Sequence, residues 1–251
     1  MKITACKNAW RLTLLPITLV ATITLNGCSS LLPKPAPQPT FYALDSAHKP
    51  MDLTPTRVTL RAAPATQQIL VPARTNNLPV LSINPPHAAA GFDSQRIIFV
   101  RKNHQLEYFA QSEWIDTPAR MIAPLLVEAI ETSPEQGFSA VVATPTTAVS
   151  DMRLDTEILR LQQTFSTSPS QVRFTVRTYL VDNATRKVLT SQEFDAIVPA
   201  ATDDPYGGVV AANTAVQRVL AQVALVAHET GRNWLTAKTL ALSQPIAATR
   251  R

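Results

Sequence analysis

Residues of the types that most often carry chemistry are sparse in this chain of 251 residues. Its cysteines and histidines are Cys6, Cys28, His48, His87, His104 and His228. No histidine pair has a zinc-site spacing such as H-E-x-x-H, and no serine lies in a G-x-S-x-G nucleophile motif. The sequence therefore favours a protein that is not an enzyme and that holds no metal ion or cofactor.

Two acidic pairs and one glycine pair have residue types suited to other sites. Asp155 with Glu157 and Asp203 with Asp204 could act as general acid and base, and Gly207-Gly208 before a helix could bind an anion. A strand face and a helix start explain the carboxylates equally well. The glycines also suit tight helix packing or a flexible helix entry, and no phosphate-binding lysine accompanies them. We expect any nucleotide to be bound by another subunit.

Cys28 follows a segment with the pattern of an export signal. Three basic residues precede an almost uncharged run over residues 12–27, as in secretory signals. This run is interrupted by Pro16 and is shorter than the roughly 20 apolar residues that a transmembrane helix needs. The segment ends in Leu25-Asn26-Gly27-Cys28, which resembles a bacterial lipobox, where the cysteine is acylated and becomes the mature N-terminus. A chance cysteine in an ordinary signal is the alternative.

Removal of residues 1–27 would change both the cysteine count and the charge. Cys6 would be lost, and acylation of Cys28 would leave no free thiol and no intramolecular disulfide. The three basic residues lost, with no acidic ones, lower the formal net charge from +5 to +2. The remainder has no concentrated basic stripe, so we expect no nucleic-acid partner.

The rest of the chain divides by composition into a tether, one domain and a tail. Residues 28–40 contain four prolines, which favour an extended tether with a rise of about 3.1 Å per residue. Residues 41–242 read as one folded domain, and residues 243–251 as a flexible tail.

Short β-like runs and two helices make up the predicted domain. The predicted strands cover residues 41–44, 57–60, 69–71, 80–83, 96–100, 106–109, 140–143, 152–165, 172–181 and 188–198. One helix begins near Thr117, which could cap it ahead of Pro118, and the interior Pro124 predicts a kink or a later start. The second helix begins after Asp203-Asp204-Pro205 and carries an apolar stripe that ends near Trp234.

The order of these elements indicates the fold class. The last three strands are best arranged as an antiparallel set, and the order of strands and helices lacks strict βαβ alternation. We therefore predict an α+β fold: a largely antiparallel sheet with two main helices packed on one face.

Four segments resemble the family of ABC-type transport auxiliary lipoproteins. They are "YALD", "PPHAAAGFDSQRIIFVRKNHQLEYFAQSEWIDTPARMIAPLLVEAIE", "MRLDTEILRLQQTF" and "DDPYGGVVAANTAVQRVLAQVA". Their order and spacing extend over nearly the whole mature chain. The block containing Tyr108, Trp114, Asp116 and Pro118 carries most of the resemblance, because a hairpin, a tryptophan and a capped helix occur together there.

The resemblance implies a periplasmic lipoprotein that serves a lipid-transport system of the mammalian cell entry (MCE) type by binding or scaffolding. The implied partners are the MCE protein and the ABC permease and ATPase, and a homo-oligomer is left open. Ser29 after the cysteine implies sorting to the inner leaflet of the outer membrane. A structural lipoprotein of another envelope assembly, for secretion or efflux, is the alternative function.

Tyr108, Trp114 and Asp116 are candidate partner contacts, because aromatic residues dominate the energetics of many interfaces. Packing in the core is the alternative for the two aromatic side chains.

Overall fold

The computed structural model describes residues 38–45 and 78–243. The strands are β1 Thr40–Tyr42, β2 Val80–Ile83, β3 His87–Ala88, β4 Arg96–Val100, β5 Glu107–Trp114, β6 Ala140–Ala143, β7 Met152–Thr164, β8 Gln171–Asp182 and β9 Val188–Pro199. The helices are α1 Pro118–Glu131 and α2 Pro205–Ser243. Cys28, the strands predicted at 57–60 and 69–71, and the tail beyond residue 243 lie outside the described residues.

β7, β8 and β9 form the antiparallel half of the sheet. β8 pairs with β7 from Met152↔Asp182 to Thr164↔Gln171, and β9 continues the sheet on the other side of β8. Buried and more exposed side chains alternate through most of β7 and part of β8, which is the pattern of strands with one buried face. The predicted antiparallel set of three strands is confirmed.

The other edge of β7 carries three short strands in succession. β2 pairs in parallel with its first residues, β3 with Glu157 and Ile158, and β4 with Gln163 and Thr164. β5 adds to β4 antiparallel, β1 adds to β5 in parallel, and β6 adds to β2. The longest ladders are antiparallel, so the predicted α+β class is confirmed, with a mixed rather than uniform sheet. β3 was not predicted, because a strand of two residues shows no periodicity.

Both helices contribute to one core on the inner face of the sheet. Buried side chains of β7 and β8, such as Ile158 and Phe174, pack with the apolar stripe of α2, including Val216 and Val219. α1 adds Ile122, Leu126 and Ile130 to the same core. α2 is long and apolar enough to cross a membrane, but half of its most apolar window is buried in this protein. Its apolar stripe is therefore explained by the sheet it covers.

The outer face of the antiparallel half is covered by charged pairs. Arg173 donates to Asp195 at 2.8 Å, and Arg177 lies 3.2 Å from Glu193 and 3.7 Å from Glu157. Burial raises the pKa of Asp195, but hydrogen bonds from Arg173 and Thr175 outweigh it, so the pKa lies below its ordinary value.

The acidic pair Asp155 and Glu157 belongs to this network. Asp155 accepts hydrogen bonds from Asn84 at 2.6 Å and Arg153 at 3.1 Å, and Glu157 pairs with Arg177. Both carboxylates have structural partners, which agrees with the strand-face explanation given for this pair above.

The two helix starts differ from each other. α1 begins at Pro118 and runs through the exposed Pro124, so the later start predicted as one alternative is wrong. Thr117 is its N-cap residue but makes no side-chain capping hydrogen bond, which corrects the predicted cap. Its own N–H instead donates to the Asp116 carboxylate at 2.7 Å, so the neighbouring acid supplies the polar contact at this turn.

The start of α2 follows the prediction more closely. The Asp204 carboxylate accepts from the N–H of Gly207 at 2.7 Å, which is the geometry of an N-cap. Asp203 accepts from the N–H of Ser170 at 2.7 Å, and this contact holds the pKa of Asp203 below its ordinary value. The two acids therefore fix the helix start against the turn between β7 and β8.

Asp182 ties the end of β8 to the later part of α2. Its carboxylate accepts from Trp234 Nε1 at 2.5 Å and from the N–H of Thr185 at 2.8 Å. Burial raises its pKa, but the hydrogen bonds from Thr185 and Trp234 outweigh burial, so the pKa lies below its ordinary value. The ionised carboxylate is therefore the form that stabilises the fold.

Removing the indole donor should reveal how much this contact contributes to the free energy of unfolding. Trp234→Phe keeps an aromatic side chain but removes the indole N–H, and should lower the free energy of unfolding by about 2 kcal/mol at neutral pH. Because the folded pKa of Asp182 is depressed, the contribution is complete above about pH 4 and is lost as the pH falls through the folded pKa. Denaturant unfolding of both proteins at pH 7 and at low pH measures the difference; an equal difference at both pH values would contradict the contact.

Candidate functional site

The three candidate contact residues lie in different environments. Tyr108 is 51% exposed, and the Arg96 guanidinium lies 4.1 Å from the centre of its ring. Trp114 is 2% exposed and belongs to the core, which is the alternative given for it above. Asp116 is half-buried and lies 3.2 Å from Arg120, four residues further along α1. Of the three, only Tyr108 offers a large accessible surface.

An apolar groove lies between α1 and α2. Its volume is about 540 Å³, within the range of small-ligand sites in proteins. Its walls are lined by Leu125 and Ala129 from α1 and by Val216, Gln217, Leu220, Ala221, Ala224 and Leu225 from α2. The alanines are short, so they leave room between two helices that touch deeper in the core.

The rim of the groove is polar. It is formed by Asp45, Glu128, Thr132, Ser133 and Pro134. The Thr132 hydroxyl donates to the carbonyl oxygen of Glu128 at 2.7 Å, so it is already engaged in ending α1. Neither wall nor rim contains a histidine, cysteine, lysine or arginine. This lining suits the binding of an apolar surface and offers no evident acid–base pair in hydrogen-bond contact.

The chain reaches the rim of the groove directly from β1. The N–H of Asp45 donates to the side-chain oxygen of Asn213 at 2.8 Å, and the Asn213 amide donates back to the carbonyl oxygen of Ala43 at 3.2 Å. Leu44 between them is buried. One polar residue of α2 therefore fixes the end of β1 beside the groove.

A buried histidine joins α1 to α2 below the groove. His228 is 4% exposed; its Nδ1 accepts from the N–H of Gly137 at 3.0 Å and its Nε2 donates to the carbonyl oxygen of Ile130 at 2.9 Å. The backbone donor at Nδ1 assigns the proton to Nε2. The ring therefore hydrogen-bonds both the last turn of α1 and the loop after it. We call these two contacts the His228 clasp.

The glycine pair at the start of α2 is used for close packing. A Cβ on Gly207 would lie 2.3 Å from the carbonyl oxygen of Thr202, and one on Gly208 would lie 2.2 Å from the side-chain oxygen of Gln163. Asp204 already takes the free N–H of Gly207. The packing explanation given for this pair therefore fits better than an anion site, and among residues 38–45 and 78–243 no His, Cys, Asp and Glu cluster could hold a metal ion.

Sequence reasoning missed the groove although it identified both helices. Leu125 and Ala129 fit the apolar periodicity of α1, and Ala212, Val216, Val219, Val223 and Val226 fit that of α2. The second row on α2, from Gln217 through Ala221 to Leu225, is the signal that could have indicated it. Its four-residue spacing marks a helix face adjacent to the core stripe.

The close approach of Gly137 to the backbone of His228 leads to a prediction about stability. A Cβ on Gly137 would lie 2.2 Å from the carbonyl oxygen of His228, and because that atom is backbone, the loop must move. Gly137→Ala should therefore lower the free energy of unfolding by about 1–3 kcal/mol, whereas the exposed neighbour Gln136→Ala should change it by less than about 0.5 kcal/mol. Denaturant unfolding measures both; equal stabilities of the two variants would contradict the close approach.

Comparison with solved structures supports the fold. A DUF330-family protein from Xanthomonas campestris superposes with a TM-score of 0.58 at 21% identity, covering 63% of this chain and 89% of that protein. The lipoprotein GNA1162 from Neisseria meningitidis gives a TM-score of 0.31 at 14% identity, covering 58% and 97%. The PelC dodecamer from Paraburkholderia phytofirmans gives 0.35 at 10% identity, covering 56% and 82%. Only the first is similar enough to bear on the fold.

The family follows from a sequence match. No curated protein sequence matches this chain. The family model described as "ABC-type transport auxiliary lipoprotein component" matches residues 59–224, which include β2 to β9, α1 and all of the α2 residues that line the groove except Leu225. A lipoprotein family of this kind indicates attachment to a membrane of the cell envelope and an auxiliary role in transport. The chain therefore belongs to the ABC-type transport auxiliary lipoprotein component family.

Proposed function

We propose that this protein is a periplasmic lipoprotein, anchored in the inner leaflet of the outer membrane, that binds the MCE protein of an ABC-type lipid transporter. The single observation that carries the proposal is the family match over residues 59–224. The groove between α1 and α2 agrees with a binding role, since its lining is apolar and contains no histidine, cysteine or basic side chain. The transporter's ATPase would supply the energy.

The groove is the surface proposed to receive the partner. Apolar grooves between two helices commonly bind the apolar face of a third helix, with anchors at the spacing of helical turns. Leu125 and Leu225 supply apolar walls, and Ala129 and Ala221 allow close approach of a partner backbone. The periplasmic part of the MCE protein or of the permease would bind there, and self-association of this chain stays a prediction.

Site-specific crosslinking in cells tests the partner. A photoactivatable phenylalanine analogue at position 221, on the groove, should crosslink to the MCE protein encoded with this chain. The same analogue at Val149, which is 92% exposed and does not line the groove, is the matched control. A transporter subunit crosslinked equally from both positions, or from neither, would refute the groove as its contact.

A charged substitution tests the apolar character of the contact. Leu225 is 48% exposed, so Leu225→Asp should lower the free energy of unfolding by only about 1 kcal/mol. Burying its carboxylate under a partner would cost more, about 2 kcal/mol or above. We expect at least a tenfold loss of crosslinked MCE protein from a chain that is still folded, as a thermal unfolding curve would verify. Unchanged crosslinking would argue against this site, and recovery of secretion or efflux proteins instead would favour the alternative function.

The anchor has its own test. Cys28→Ala removes the thiol that would carry an acyl chain, so it should abolish labelling by a fatty-acid probe and release the protein from outer-membrane fractions. Stable anchoring requires more than one acyl chain or signal, and the mature lipoprotein should carry three chains. Fractionation and probe labelling measure this. Continued fatty-acid labelling of the variant would show that Cys28 is not the attachment site.

A further inference from the structure

The turn between β4 and β5 projects beyond the sheet and is exposed throughout. We call residues 101–106, with the flanking Tyr108, the hairpin tip. The N–H of Gln105 donates to the carbonyl oxygen of Lys102 at 3.1 Å, and His104 adopts a left-handed backbone with φ of 69°. The tip therefore has a defined turn, as the sequence predicted, and its side chains point into solvent.

The hairpin tip combines exposed apolar side chains with basic ones. Leu106 is 49% exposed and Tyr108 is 51% exposed, so about half of the surface of each residue contacts water. Arg101 pairs with Glu107, Lys102 is exposed, and Arg96 lies over the Tyr108 ring. Glu107 pairs with Arg101 and Glu113 lies opposite Arg96 in the β4–β5 ladder, so Lys102 supplies the remaining positive charge beside the apolar side chains. Tyrosine and basic side chains of this kind favour the boundary between water and lipid.

Strand direction places this tip on the side from which the N-terminus arrives. β1 runs parallel to β5, with Thr40 opposite Ser112 and Tyr42 opposite Trp114. The chain preceding Thr40 must therefore leave β1 toward the start of β5, where the tip lies. From Ser112 back to Leu106 is six residues, a reach of at most about 20 Å. Cys28 lies twelve residues before Thr40, within a tether that could extend about 35 Å.

Most of the remaining groups near this end do not oppose the charge of Lys102; the exposed Asp93, two residues from Gly91 beside Leu106, is the exception. The turn after β7 follows directly beyond β4, since the N–H of Phe165 donates to the carbonyl oxygen of Val100 at 2.9 Å, and residues 165–170 carry no charge. The carboxylates of Asp203 and Asp204 each accept a backbone N–H. Their contacts direct them into the protein rather than toward a surface beyond the tip.

We propose that the hairpin tip contacts the anionic lipid headgroups of the membrane that holds the lipid anchor. Lys102 and the arginines meet the headgroup charge, and Leu106 with Tyr108 enters the boundary between headgroups and acyl chains. Each basic residue near an anionic surface strengthens binding by about fivefold. This is too weak to hold the protein alone, but with the anchor it fixes the orientation of the domain. The inference rests on the lipid anchor of the proposed function.

An environment-sensitive fluorophore at the tip tests the contact. Because the mature, acylated chain has no other free cysteine, Asn103→Cys gives a single labelled site. The full lipidated chain is reconstituted into vesicles of phosphatidylcholine alone or with phosphatidylglycerol. We expect a blue shift and quenching by a lipid-bound quencher in the anionic vesicles, at least threefold reduced in phosphatidylcholine or at high salt. Lys102→Glu with Leu106→Asn in the labelled chain should abolish the response.

The control site lies at the opposite end of β7. Val149 precedes Met152, whereas the tip lies beyond Thr164, so the two ends are about 40 Å apart. Val149→Cys carrying the same fluorophore should not respond to either vesicle. A tip label that behaves like this control in anionic vesicles, or that responds equally to both compositions, overturns the inference.

Flotation of the same samples separates the inference from the proposed function. A chain that floats with the vesicles while its tip label stays silent refutes the tip contact and leaves the anchor intact. A chain that does not float refutes the anchor, and with it the membrane that the tip is proposed to contact.

Discussion

The pairing of β7 with four other strands is the constraint on which the rest of the structure depends. One edge of β7 is used along its whole length by β8, while the other is divided among β2, β3 and β4. Its inner face is buried under the helices. A strand occupied on both edges and one face cannot shift register without exposing its apolar side chains. The position of β4, and therefore of β5 and β1, follows from its short ladder at the end of β7.

α2 has two functions that depend on different faces of the same helix. The face with Val216, Val219 and Val223 is buried on the sheet, and this burial holds the helix in place. The adjacent row with Ala221 and Leu225 is left beside α1 and forms a wall of the groove. The His228 clasp and the contact between Trp234 and Asp182 fix the helix at two further points. A groove with walls held this firmly is preorganised, so less binding free energy is spent on ordering it.

Much of the fold could be predicted from the sequence because its longest elements have clear periodicity. The alternation from Val172 to Arg177 is local information, as is the apolar stripe of α2. The parallel contacts of β2, β3 and β4 with β7 join distant segments, and no local pattern encodes them. The groove was hidden for a related reason: whether Leu125 faces the core or a cleft depends on where α2 lies. Trp114 shows the same limit, since residue type alone could not separate an interface aromatic from a buried one.

The path of the chain links the edge of the sheet to the groove. β1 has only three residues, and three positions after its last residue the chain reaches Asp45 on the rim of the groove. Because β1 is hydrogen-bonded to β5 and Asn213 holds the residues that follow it, this connection cannot lengthen without breaking those contacts. The rim of the groove at Asp45 is therefore held both to the sheet, through β1, and to α2, through Asn213. A partner that binds in the groove would meet a rim whose position is fixed by the same contacts that close the end of β1.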